Sequence, residues 1–159
     1  MKKEHGFTLI ELLLAITVLA VLLGIGVPSF QETIRTNRTA TLTNDLVAAL
    51  QFARSEAIRR GQNVMLCAGN DFTDCNGDWL DGWFITSDPT TASAVIRVWP
   101  APRAGAEFGG GATLTYNTIG ATGANVAFDI QFDGCAGTGA RNVQINQMGR
   151  VVTESAACF

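Results

Sequence analysis

The chain has 159 residues, 47% of them hydrophobic, with a formal net charge of -3 and a pI near 5.0, which suits one domain of moderate size and gives no general attraction to nucleic acid. Both lysines, Lys2 and Lys3, and the only histidine, His5, precede Gly6, so a chain cut after Gly6 would keep neither type; 11 bases less two lysines leave nine arginines, and 14 acids less one leave 13. General-base catalysis near neutral pH leans on histidine and Schiff-base chemistry needs lysine, which excludes most familiar catalytic devices, so no enzymatic activity is expected.

The first element is the apolar run 7–27. As a helix of 21 residues at about 1.5 Å each it reaches roughly 31 Å, the thickness of a bilayer's hydrocarbon layer. It carries one acid, Glu11, whose burial in hydrocarbon costs on the order of 3 kcal/mol unless something pairs with it. A cleavable secretory signal would be shorter and end in an Ala-x-Ala site, which Gly24-Ile25-Gly26-Val27-Pro28 does not provide. Lys2 and Lys3 hold the amino terminus in the cytoplasm and place everything beyond residue 28 outside.

The residues Gly6-Phe7-Thr8-Leu9-Ile10-Glu11 resemble the processing site of type IV pilins and of the pseudopilins of type II secretion. The resemblance implies a leader, 1–6, removed after Gly6 by a prepilin peptidase that methylates the new amine of Phe7. It also implies that Glu11 pairs with the amine of a neighbouring subunit during filament assembly, which makes the acid a register device. On this expectation 7–28 is an assembly helix, held in the inner membrane with the globular part in the periplasm until the subunit enters a filament at the cell surface.

From Ser29 to Arg60 the pattern becomes amphipathic, with Leu42, Leu46, Leu50, Ala53 and Ala57 three and four residues apart on one face. Arg35, Asn37 and Arg38 lie between the membrane run and that face. Glu56 and Arg60 have the spacing of a solvated i,i+4 pair, and Gly61 stands where a carboxy-terminal cap is expected. Residues 7–60 therefore read as one long helix with 29–61 as its amphipathic half. A bend is expected at Pro28, whose ring removes the bond to Gly24.

Beyond Gly61 the pattern is β, so 62–159 is read as one β-rich domain and the fold class as α+β. The clearest strand is 125–132, where Val126, Phe128, Ile130 and Phe132 alternate with Asn125, Ala127, Asp129 and Gln131. Further strands are predicted at 63–68, 82–86, 94–99, 113–117 and 142–146, with a short one after Arg150. The segment 100–111, PAPRAGAEFGGG, reads as turns. Four cysteines at 67, 75, 135 and 158 lie in the part expected outside the cytoplasm and read as disulfides. Three pairings are open; Cys67 with Cys75 and Cys135 with Cys158 is the favoured one because each closes a short loop, contributing roughly 3 kcal/mol.

Three features invite a binding site. The loop 71–81 holds four acids, but an EF-hand begun at Asp74 has Trp79 at its glycine position and Ile85 at its last, so no metal or cofactor is expected. Trp79, Trp83 and Trp99 read as packing residues before stacking platforms, and Ser55 beside Glu56 has no base to make it a nucleophile. The stretches LVAALQFARSEAIRRGQNVMLC, Trp79, Gly82-Trp83-Phe84 and QINQMGRVV resemble the GspH/FimT branch of pilin-like proteins. That resemblance implies an amino-terminal helix packed on antiparallel β-sheets, and a minor subunit that helps prime or cap a pilus among other minor and major pilins. Two other roles share the pattern, a pseudopilin of type II secretion and a competence pilin that binds DNA. The last uses a Gly-Arg-x-Arg element; this chain has Gly149 and Arg150 but Val152 at the second arginine, so Arg141 would have to come close to Arg150 to compensate.

Overall fold

The computed structural model describes residues 8–111 and 113–159, without the side chains of residues 28 and 29. It divides into two compact units, Met1–Ile34 and Arg35–Phe159. Helix α1, Leu9–Arg60, contributes to both. In the first unit its large apolar side chains, from Leu9 to Ile34, are all exposed, as expected of a helix whose solvent is hydrocarbon or other apolar helices.

In the second unit one stripe of the same helix is buried. Leu46, Ala49, Leu50, Ala53 and Ala57 have no accessible surface, and Leu42 very little. Each fully buried leucine contributes about 1.5 to 3 kcal/mol by leaving water. Thr39 and Thr43 lie on the buried side too, and their hydroxyls donate to the carbonyls of Arg35 (3.2 Å) and Thr39 (2.7 Å), which satisfies them inside the helix. The helix ends at Gly61, where φ is +64° and the N–H donates to the Ala57 carbonyl at 3.0 Å.

Eight strands follow: β1 Val64–Ala68, β2 Trp83–Thr86, β3 Val95–Trp99, β4 Ala106–Gly110, β5 Leu114–Tyr116, β6 Val126–Phe132, β7 Ala140–Ile145 and β8 Val151–Ala156. They form two antiparallel sheets, β3-β2-β1-β5 and β4-β6-β7-β8. Val64, Leu66, Trp83 and Ile85 from the first sheet join Phe128, Ile130, Phe132, Val143 and Ile145 from the second in one core with the helix stripe. Trp79 fastens the sheets to each other, its ring 6.3 Å from Trp83 and 4.9 Å, edge on, from Phe128.

The other face of the first sheet is covered by the acidic loop. Cys67 and Phe84 are register partners on that face; Cys67 is bonded to Cys75, and Phe72 packs edge on against Phe84 at 5.3 Å. The disulfide-closed loop keeps its four acids exposed and still covers this face, which explains why β1 and β2 are buried almost throughout.

Two sequence expectations are corrected. The segment 100–111 contains strand β4, paired with β6 from Ala106↔Phe132 to Gly110↔Phe128; its glycines hide a strand signal, and the space beside Gly109 is taken by the Phe159 ring, 3.4 Å from where a Cβ would stand. Strict alternation in β6 fails at Gln131, which is buried. Its amide nitrogen donates to Glu107 and to the Phe159 carbonyl (2.7 Å), and its carbonyl accepts the Phe159 N–H (3.0 Å). A polar side chain is tolerated there because every bond it needs is made.

Candidate functional site

Gly6 and Phe7 lie outside the described residues, as does the side chain of Pro28. Glu11 lies within them and already has a partner. The Thr8 N–H (2.8 Å) and hydroxyl (2.7 Å) both donate to Glu11 Oε2, and the Glu11 N–H donates to the Thr8 hydroxyl at 3.3 Å. This is the reciprocal capping box that Thr-x-x-Glu builds at a helix start. Thr8 and Glu11 stand at the Thr-x-x-Glu spacing in the sequence itself, so this local partner is available to the carboxylate before any neighbour is. Within the single chain, Thr8 supplies the first bonds.

At the other end of the helix the structure separates the two arginines proposed to act together. Arg141, at the start of β7, lies in register with Ile130 and Ser155, and its Nη1 donates to the Ser155 hydroxyl at 2.7 Å. Arg150 precedes β8, five residues back along the strand, roughly 16 Å at extended rise. Arg141 therefore does not compensate for Val152.

The arginine that shares a cleft with Arg150 is Arg54 of α1. Gln51, Arg54, Gly149, Arg150 and Val151 line one cleft of about 270 Å³. The loop 146–150 joining β7 to β8 is tightly tied: the Gly149 N–H donates to the Asn146 carbonyl (2.8 Å), and the Met148 and Arg150 N–H groups donate to Asn146 Oδ1 at 3.1 and 2.9 Å. Gly149 has φ +74°, and a Cβ on it would meet the Gly120 carbonyl oxygen at 2.1 Å and Arg54 Nε at 3.3 Å. A Cβ on Gly120 would likewise meet the stem of Arg54 at 3.0 Å. The Arg54 side chain thus lies against both glycines, and its Nη2 donates to the Met148 carbonyl at 3.0 Å. No sequence motif announces this, because a helix arginine and two loop glycines become neighbours only in the fold.

The electrostatics sharpen the contrast between cations. Arg59 and Arg60 both reach Glu56, at 2.7 and 2.6 Å. Glu56 is buried rather than solvated, and the two guanidinium hydrogen bonds hold its carboxyl down at about 2. Arg54 and Arg150, by contrast, have no ion pair among the described residues. Burial pushes the Tyr116 phenol up to about 12; its hydroxyl and Arg54 Nε are buried without a hydrogen-bond partner among the described residues, and the Tyr116 ring edge is 3.0 Å from the same missing Gly149 Cβ.

The remaining candidates are structural. Asp71, Asp74 and Asp78 each accept a backbone N–H two residues on, from Thr73, Asn76 and Leu80, so each serves its own turn. Among the described residues no three metal-ligating side chains converge. Ser55 donates to the Phe52 carbonyl within the helix. Trp79 and Trp83 are core residues, while the half-buried Trp99 packs on Phe52 at 6.2 Å under the Arg97 guanidinium. Arg35 donates to the Gly134 carbonyl at 3.0 Å, beside the loop that Cys135 and Cys158 close.

Comparison with known proteins agrees with this architecture. The family described as type II transport protein GspH matches residues 42–149, and the prokaryotic N-terminal methylation motif matches residues 1–27. A fimbrial protein of Pseudomonas aeruginosa is 36% identical over 69 residues, 43% of this chain; the alignment spans 44% of that relative, less than half its length. A crystal structure of the type IV minor pilin FimU of P. aeruginosa superposes with a TM-score of 0.63 at 25% identity, covering 77% of this chain and 96% of that one. A second crystal form of FimU gives 0.59 at 24% identity, covering 76% and 99%.

Proposed function

The chain belongs to the family described as type II transport protein GspH, and from that premise we propose that it works as a minor type IV pilin, a subunit without enzymatic activity that helps prime or cap a filament. A prepilin peptidase removes residues 1–6, the apolar helix waits in the inner membrane with the β domain in the periplasm, and the subunit then joins other minor and major pilins. The observation that carries this reading is the single helix with two environments: an apolar stretch exposed all round that holds one acid, and an amphipathic stretch packed on sheets. Apolar helices of neighbouring subunits can replace lipid around the first stretch without cost, so the anchor becomes part of a filament core. Glu11 has one oxygen occupied by Thr8; the other, which accepts no bond from the described residues, would take a neighbour's methylated Phe7 amine.

Glu11→Ala in the parent organism tests the reading. The variant is expected at normal level in the membrane fraction and to be absent from sheared filaments. Normal incorporation rejects the assembly role. The family's description favours a second reading, a minor pseudopilin of type II secretion. Deleting the chain separates the two: loss of surface filaments supports the pilus, and loss of secreted proteins with filaments intact supports secretion.

A further inference from the structure

We propose that the Arg54–Arg150 cleft is a docking site for an Asp or Glu carboxylate of a neighbouring, different pilin subunit, whose flanking apolar side chains rest on Ile58, Ile119 and Met148. The proposal rests on the filament-subunit reading above. Arg54 and Arg150 both line one cleft, with no acid paired to either among the described residues. An anion entering that cleft is attracted by the charges of both residues. Arg54 is ready for that anion, because its stem lies against Gly120 and Gly149 and its Nη2 is tied to the Met148 carbonyl; little rotamer freedom is left to lose on binding.

The rim says what kind of molecule brings the carboxylate. Met148 is 65% exposed, Ile119 71% and Ile58 52%. Met148 adjoins Gly149, and Ile119 adjoins Gly120, whose missing Cβ would stand 2.8 Å from Ile58 Cδ1. A buried-ready arginine beside exposed Met and Ile is the composition of a protein contact, an apolar centre with one anchoring charge. A nucleic-acid backbone needs a row of cations; among the described residues that line this cleft only Arg54 and Arg150 are basic, and Arg141 bonds Ser155 elsewhere on the sheet. A second copy of the chain is also a poor fit. Two copies share the same negative net charge, so each repels the other as a whole.

The test uses the full chain in filament-producing cells, with a photoreactive benzoyl-phenylalanine in place of Met148, and in a parallel strain in place of Leu22 on the apolar helix. The expected result at 148 is an adduct with a different pilin subunit, mapped by mass spectrometry to a segment containing Asp or Glu. Arg150→Glu should lower its yield about tenfold, and Arg150→Lys should retain most of it, with the Leu22 adduct unchanged in both. An adduct with a second copy or with DNA, a yield indifferent to Arg150→Glu, or no adduct at 148 while Leu22 still cross-links would each overturn the docking site. Absence of any pilin adduct at both positions would remove the filament reading and the docking site together.

Discussion

Residues 9–34 and 35–60 belong to the same α-helix, yet they answer to different solvents. The first stretch exposes Leu, Ile and Val on every side and buries none of them. The second gathers Leu42, Leu46, Leu50, Ala53 and Ala57 in one stripe and closes it against two sheets, leaving Ile58 exposed. Helix formation is therefore common to both, but only the second derives folding stability from side-chain burial within the chain. The first keeps its apolar surface for association.

That contrast can be broken by experiment. The largest effect is expected from Leu46→Ala, which opens a cavity in the core and should cost about 3 to 5 kcal/mol; Leu19→Ala should leave the unfolding of the globular part unchanged. Both are measured by near-UV circular dichroism on the chain in micelles, and equal shifts would erase the distinction. Next comes the paired change Cys135→Ser with Cys158→Ser, expected to lower stability by about 3 kcal/mol with the helix content of 9–34 unaltered. Thr8→Ala should cost about 1 kcal/mol locally, read as faster amide exchange over residues 9–12 with no change in the melting of residues 35–159. The smallest effect sits in the other stretch: Glu56→Gln should cost a few tenths to 1 kcal/mol at neutral pH. Because the folded carboxyl is depressed from 4.5 to about 2, that contribution is complete above pH 4.5 and lost as pH falls through about 2; the variant and the parent should therefore converge in acid.

Much of this fold is written in spacing. The stripe from Leu42 to Ala57, the cap at Gly61 and seven of the eight strands follow from periodicity and turn residues, with ends displaced by one or two positions, as for β7. Strand β4 escaped because Ala106-Glu107-Phe108-Gly109-Gly110 carries too few β-branched residues; its pairing with β6 is a tertiary fact. Gln131 escaped for the same reason, since the backbone that satisfies it is 28 residues away. At the candidate site the sequence shows Gly149 and Arg150 but not Arg54, which lies 95 positions before Gly149 and reaches it only through the packing of helix against hairpin. Glu11 teaches the converse: its nearest partner was three residues away in plain view.

The disulfide between Cys135 and Cys158 has a mechanical meaning. It closes a loop of 23 residues around β7 and β8, so a pull along the chain passes through the sulfur bridge and skips both strands. At about 3.4 Å per extended residue, roughly 75 Å of contour is withheld from stretching. Even when tension tears the second sheet open, β7 and β8 stay in the same short tether and can re-pair when the load is released.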